Sequence, residues 1–278
     1  MTAVPTLEML RAKLGDAVRA DVPLAPYTSA RIGGPADFLI HAGSADQLQM
    51  IISQLWQEGI GYFLLGGGSN VLVSDKGVRG VTVLNRAKGV RFHPGSTPRV
   101  WAESGVVFSN LANRCATKGL SGLEWAATVP GTIGGAVFGN AGAFGGDMAA
   151  SLVWAEVLTR SGREQWPREA MGYGYRSSVL KSHASQAAVL AAELKLGNST
   201  REQVTAQMLQ FGDRRKATQP PGASMGSMFK NPAGEAAGRL IEAAGLKGSR
   251  IGNCSCSLKI SIPSPPMGNP VRGSRGPA

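Results

Sequence analysis

Residues 120–148 read LSGLEWAATVPGTIGGAVFGNAGAFGGDM, and only Glu124 and Asp147 in this run carry charge. No other feature restricts the possible folds as strongly. A flexible linker would be built from glycine with polar residues, yet this stretch also holds Trp125, Val129, Ile133, Val137 and Phe138. It is therefore expected to be a buried, irregular segment whose backbone lies against a ligand. A second glycine cluster, LLGGGSNVLV, lies upstream. The chain has to bring bare backbone close to something in two places.

Ordinary signals surround these loops. In SADQLQMIISQLWQEGI, Ser44 and Gln47 have the spacing of a capping box, and Leu48, Ile51, Ile52, Leu55 and Trp56 share one helical face. Gly59 supplies the stop. GYFLLGGGSNVLVSD reads as a strand, a glycine loop and a second short strand, and GVTVLN as a further strand, closing a first α/β unit near residue 88. FSNLANRCATKGL reads as a helix capped by Ser109 and ended by Gly119, with Cys115 on its inner face as a small core residue. Strands are expected over 152–159 and 187–196. A helix capped by Thr200 with Gln203, a Pro-rich break and a last helix through AAGRLIEAAG complete the pattern.

At 278 residues and 43% hydrophobic, the chain can bury one large core or two modest ones, so two domains, or one with lobes, are expected. Net charge is +11, of which three come from Lys259, Arg272 and Arg275 in the last 25 residues, leaving +8 for the rest. That balance favours an anionic substrate or cofactor. Nucleic acid would call for basic runs interleaved with aromatics; the densest cluster, DRRK at 213–216, reads as a solvated helix end. Cys115, Cys254 and Cys256 form no disulfide framework, and with His41, His93 and His183 they have no metal-ligand spacing. There is no signal segment, and no apolar run nears the ~18 residues of a membrane span. The expectation is a cytoplasmic monomer without nucleic-acid or membrane partners.

Two nucleotide-loop readings of Gly66, Gly67, Gly68, Ser69 and Asn70 fail. There is no G-x-x-x-x-G-K-[ST], and Val71 stands where a dinucleotide fingerprint needs glycine. Successive amides without side chains can still form an anion nest, although a hairpin turn would use the same glycines. The second loop, TVPGTIGGAVFGNAG, contributes Thr128, Pro130, Gly131, Thr132, Gly134, Gly135, Asn140 and Gly142. Two glycine-lined surfaces with apolar neighbours suit a long cofactor with a pyrophosphate middle and a flat ring. FAD fits this better than ATP, because nothing resembles a Mg²⁺-phosphate clamp.

The ordered series YTSARIGGPAD, LLGGGSNVLVSD, GLSGLEWAATVPGTIGGAVFGNAGAFGGD, GYRSSVLK and GSMFKNP resembles the UDP-N-acetylenolpyruvoylglucosamine reductase family over residues 27–252. The resemblance implies an α+β chain: a two-lobed FAD-binding domain of the PCMH/vanillyl-alcohol-oxidase type, then a small α/β substrate domain, here truncated. The implied boundaries are residues 1–88 and 89–198 for the lobes and 199–253 for the incomplete substrate domain. It further implies FAD and NADPH as cofactors and a nucleotide-sugar substrate. Arg176 is implied to hold the substrate carboxylate and Ser227 to donate a proton, with Tyr175, Lys230 and Asn231 at the substrate. Arg214, Arg215 or Lys216 could meet a diphosphate or could simply end a helix. The short run from Trp154 to Tyr175 matches the branch lacking an extra substrate loop.

Two departures stand out. Glu103-Ser104-Gly105 replaces a smaller G-A-G-like turn, which predicts looser cofactor contact there. The family's third catalytic residue is a glutamate near the C-terminus, but the last acid here is Glu242 and no histidine follows His183. From Cys254 onward the sequence is Ser, Pro and Gly without pattern. The expectation is a disordered, frame-shifted tail over 254–278, with a variant tail or a sequence error as alternatives, and hence an FAD-binding chain impaired in turnover.

Overall fold

The computed structural model describes residues 5–184, 186–219, 222, 229–251 and 254–255. In chain order they form α1 (Leu7–Leu14), β1 (Arg19–Pro23), β2 (Pro35–Ala42), α2 (Ala45–Gln57), β3 (Tyr62–Leu65), β4 (Val78–Asn85), β5 (Val90–His93) and β6 (Arg99–Glu103). Next come α3 (Phe108–Thr117), β7 (Leu120–Ser121), α4 (Ile133–Gly139), β8 (Gly142–Ala143), β9 (Gly146–Asp147), α5 (Met148–Ser151) and β10 (Leu152–Thr159). The remainder is β11 (Gly162–Pro167), β12 (Ala188–Lys195), β13 (Gly197–Asn198), α6 (Arg201–Thr218), α7 (Ala237–Ala243), β14 (Arg250–Ile251) and β15 (Cys254–Ser255).

Two sheets carry the fold. The first has strand order β1-β2-β4-β3, with β2, β4 and β3 parallel and β1 antiparallel at one edge. The second, β11-β10-β12-β6-β5, is antiparallel throughout. Burial explains the strand sequences. The last five residues of β4 and the first seven of β12 are all buried, as central strands covered on both faces require. Edge strand β11 instead alternates half-buried and exposed residues along GREQWP.

The helices follow their caps. Ser44 accepts from the Gln47 amide and opens α2, whose Leu48, Ile51, Ile52 and Leu55 are buried. Each of those four contributes about 1.5–3 kcal/mol relative to exposure. They pack with α1 and with Val81 and Val83 of β4, and the same core takes in Leu158, Ala188 and Leu190 from the second sheet. The two sheets therefore share apolar packing. A larger core joins β6, β10 and β12 to α3 and α4. Thr200 caps α6 by accepting from the Gln203 amide, as its spacing predicts.

Several expectations are corrected. Ser109 does not cap α3; the helix begins at Phe108, and Val107 occupies the cap position without a side-chain bond. Its first amide, Phe108 N–H, donates instead to the Gly131 carbonyl at 3.0 Å. No strand follows the first glycine loop, since residues 71–74 have no regular structure. The segment expected to be irregular contains α4. β1, β2, β5, β11 and α1 went unread in the sequence. The seam expected at Asn253 lies outside the described residues, as do 252 and 256–278; Cys254 and Ser255, expected to be disordered, form β15 and pair with β14.

Candidate functional site: a glycine cradle and an arginine turn

The two glycine loops meet. A Cβ on Gly66 would lie 2.6 Å from Thr132 Oγ1, one on Gly67 would lie 2.9 Å from Gly131 Cα, and one on Gly131 would lie 2.6 Å from Ser69 Oγ. Real Cβ atoms do not approach so closely, so glycine is needed at all three positions, and between Gly67 and Gly131 backbone meets backbone. On the far side of the first loop, the Gly66 carbonyl accepts from Arg86 Nη1 at 2.8 Å and the Gly68 carbonyl accepts from the Ser29 amide at 3.0 Å. A trans peptide points its N–H opposite its carbonyl, so the Gly67 and Ser69 amides face away from Arg86 and Ser29, as an anion nest requires.

The second loop is fixed from behind. Val107 bridges to Thr132, Ile133 N–H donates to Val106 at 2.9 Å, and Gly134 N–H donates to Ser104 at 2.8 Å. The Glu103-Ser104-Gly105 turn is itself pinned. Ser104 Oγ accepts from Asn85 Nδ2 at 2.8 Å, and the buried Glu103 carboxylate accepts from the amides of Ala45 and Gly89. The turn thereby ties the ends of β4 and β6 to the start of α2. Within the second loop, the Thr128 hydroxyl is buried without a partner among the described residues. Buried hydroxyls are normally paired. Close-packed bare backbone beside an unpaired hydroxyl fits a dinucleotide such as FAD, whose phosphates and hydroxyls supply matching groups.

At its other end, α4 carries the arginine turn. Tyr173 Oη donates to the Val137 carbonyl at 3.1 Å and Ser178 Oγ to the Phe138 carbonyl at 2.6 Å. These carbonyls, which the helix end would leave open, become the mount for residues 173–178. Asn140, at φ +47°, donates from Nδ2 to the Gly174 carbonyl at 3.0 Å and accepts at Oδ1 from Ala149 N–H at 2.9 Å. Gly174 and Ser177 exchange both backbone bonds at 3.1 Å, so Tyr175 and Arg176 sit at the tip of a tight turn. Arg176 has φ +53°, donates from Nη2 to the Gly142 carbonyl at 3.0 Å, and lends its own carbonyl to Lys181 Nζ. Burial, then Lys230 and Arg176, push the Lys181 amine below its ordinary pKa. Three cations from two chain segments therefore converge, the setting for a multiply charged anion.

The remaining predicted residues divide. Asn140, Gly134 and Gly142 serve the scaffold through the bonds just given. Gly135 has no close neighbour, Pro130 and Asn70 are exposed, and Tyr175 is 62% exposed. Lys230 is exposed beside the arginine turn, whereas Asn231 Oδ1 is occupied by the Ala237 amide at 3.1 Å, serving the start of α7. Ser227 lies outside the described residues. Of the DRRK cluster, Asp213 and Lys216 pair on the surface at 3.5 Å, but burial lowers the Arg215 pKa, so only part of it is a solvated end. Sequence reasoning missed Arg86 and Lys181. The latter stood inside the quoted GYRSSVLK motif, five residues after Arg176.

Comparison with known proteins agrees with this geometry. The FAD binding domain model matches residues 36–166, and the C-terminal domain model of UDP-N-acetylenolpyruvoylglucosamine reductase matches 217–261, running past the expected seam. The reductase of Rubrobacter xylanophilus is 42% identical over 246 residues, spanning 88% of this chain and 82% of the relative. That of Chloroflexus aggregans is 39% identical over 245 residues, spanning 86% and 82%. The crystal structure of the Thermus caldophilus enzyme superposes with a TM-score of 0.73 at 34% identity, covering 87% of this chain and 86% of that one. A vanillyl-alcohol-oxidase-type flavoprotein of Myceliophthora thermophila shares the fold alone, with a TM-score of 0.50 at 14% identity over 70% of this chain and 48% of that one. A glycine cradle joined through one short helix to an arginine turn, in a chain this similar to those reductases over most of its length, belongs to the UDP-N-acetylenolpyruvoylglucosamine reductase family.

Proposed function

We propose that this chain binds FAD in the glycine cradle and uses NADPH to reduce UDP-N-acetylglucosamine enolpyruvate to UDP-N-acetylmuramate, a cytoplasmic step of peptidoglycan precursor synthesis. The observation that carries the reading is α4 itself. Its first turn is fixed beside the cradle and its last carbonyls hold the arginine turn. One seven-residue helix therefore sets the distance between cofactor and substrate sites.

Gly66, Gly67, Gly68 and Ser69 of the first loop and Thr128, Gly131 and Thr132 of the second would hold FAD, which supplies hydride chemistry when bound. Hydride reaching the terminal enolpyruvyl carbon leaves negative charge on the neighbouring carbon and its carboxylate. Arg176 meets that carboxylate with a planar fork whose charge is already in place. Lys181 and Lys230 add positive potential for the same group and for the diphosphate. Ser227 delivers the proton, with Lys230 three residues away in sequence to stabilise the alkoxide. Tyr175, at the tip of the turn, contacts the substrate. The protein acts as a monomer, without nucleic acid or membrane.

A second reading is favoured by one sequence fact: no Asp or Glu occurs in residues 243–278. A missing acid–base partner lowers a rate by about 10²–10⁴-fold, which would leave an FAD-binding protein of low turnover. The purified protein is expected to be yellow and to bleach with anaerobic NADPH. Colour that returns on adding the enolpyruvyl substrate supports the full reaction. Bleached protein that never regains colour supports the second reading, and colourless protein sinks both.

A further inference from the structure

We infer that Arg86 is the positioning cation of the cradle: its guanidinium holds the first glycine loop by the Gly66 carbonyl and adds positive potential behind the loop for the cofactor's pyrophosphate. The inference rests on the FAD reading and goes beyond it by assigning a residue outside both glycine motifs. Three features carry it. Arg86 leaves the end of β4, and its backbone amide donates to the Ala42 carbonyl at 2.7 Å, so its starting point is fixed by the first sheet. Its Nη1 donates to two carbonyls, Gly66 at 2.8 Å and Asn85 at 3.1 Å. Finally, it is half-buried, and among the described residues no ion pair includes it.

A half-buried guanidinium without a carboxylate is unfavourable on its own account. Burial indeed lowers the Arg86 pKa, and burial, then Arg86 and Arg19, lower that of the neighbouring His41. Its guanidinium meets two carbonyls but no carboxylate among the described residues, and it lies against the carbonyl of a loop peptide whose amide points the other way. An anion in the nest would complete it. Arginine suits the task better than lysine because its delocalised guanidinium keeps its charge when half-buried while Nη1 donates to both carbonyls in one fixed plane.

The test titrates FAD into apo-protein by flavin fluorescence, comparing wild type with Arg86→Met and Arg86→Lys, and repeats the titration with riboflavin, which lacks the pyrophosphate. Arg86→Met is expected to weaken FAD about tenfold, the size of one charge-assisted bond, and to leave riboflavin binding unchanged. Arg86→Lys keeps the charge without the fork and should fall between. FAD binding by Arg86→Met within twofold of wild type overturns the assignment, as does an equal loss for riboflavin. Should Arg86→Met lack a cooperative thermal transition, Arg86→Lys decides alone: weakened FAD with unchanged riboflavin supports the assignment, and wild-type FAD affinity overturns it. Wild-type protein that takes up no FAD overturns the cofactor reading itself and this assignment with it.

Discussion

The cradle and the arginine turn lie at opposite ends of α4 and are held by opposite means. The cradle exists because atoms are missing: glycine backbones meet where any Cβ would collide. The arginine turn exists because polar atoms are present. Tyr173, Ser178 and Asn140 each spend a side-chain bond to fasten it. Exclusion by overlap tolerates no substitution, whereas a set of separate hydrogen bonds can lose a member and retain most of its geometry. Damage at the two ends should therefore be abrupt in one case and graded in the other.

The largest effect is expected at Gly68. It has φ +62°, and an added Cβ would lie 2.1 Å from the Tyr27 carbonyl oxygen. Gly68→Ala combines overpacking with left-handed strain and should destabilise the fold by about 3 kcal/mol, with loss of FAD uptake. Gly145→Ala is the control: φ is +84°, but nothing lies within 4 Å of the new Cβ. It should show only the strain, about 1 kcal/mol. Urea denaturation of both variants separates overlap from dihedral cost. Equal losses would mean that overlap with the Tyr27 carbonyl is not what demands glycine at position 68.

At the other end, Arg176→Met should leave stability within about 0.5 kcal/mol of wild type, as for an exposed side chain. Substrate reduction should nevertheless fall about 10²–10³-fold, typical of removing one oxyanion-stabilising group. Bleaching by NADPH should be unaffected. A variant slow in both half-reactions would break the division between the two ends.

Lys181→Met should have a smaller effect, about tenfold in kcat/KM, because it removes the bond to the Arg176 carbonyl and one cation of three rather than the fork. The sign of its titration gives a second readout. Burial, Lys230 and Arg176 depress the Lys181 pKa below its ordinary value, so its charge is lost earlier as pH rises. Wild-type substrate affinity should decline on the alkaline side through that depressed pKa, and the decline should be absent in Lys181→Met. Lys181→Arg should restore most of the neutral-pH rate without restoring that decline.

How much of this was legible depended on whether the cause was local. α2 could be read because Ser44, Gln47 and five apolar side chains state both its start and its face within one segment. The glycine loops could be read because few settings demand so many glycines among apolar residues. α4 could not: Ile-Gly-Gly-Ala-Val-Phe-Gly is poor helix sequence, and the helix forms because distant carbonyls at Val106 and Ser104 accept its first amides. The Ser109 cap failed for the same reason, since the Gly131 carbonyl had taken the amide at the start of α3. The bonds that pin Glu103-Ser104-Gly105 left no local signal, because its partners, Asn85, Ala45 and Gly89, come from other elements. Arg86 carried no signal, because an arginine after a strand is ordinarily solvent-exposed.

The gentlest probe is Cys115, on the inner face of α3, the helix whose first amide meets the cradle at Gly131. Burial raises its thiol from 9.0 to about 12, the dominant cause, with Glu124 adding slightly and Arg114 opposing. The native state therefore keeps the proton over a range in which the unfolded chain loses it. The stability tied to that thiol is fully present below pH 9 and declines as pH rises toward 12. Cys115→Ala should cost about 1 kcal/mol at neutral pH for the lost packing. Because alanine does not titrate, the gap to wild type should narrow by roughly 1 kcal/mol between about pH 8 and pH 10. Urea midpoints of both proteins across that range measure it. Since α3 supports the cradle and not the arginine turn, FAD affinity should follow the lost packing while the Arg176-dependent half-reaction stays unchanged. A parallel loss in both would mean that α4 transmits strain from one end to the other, and that the two sites are not independently held.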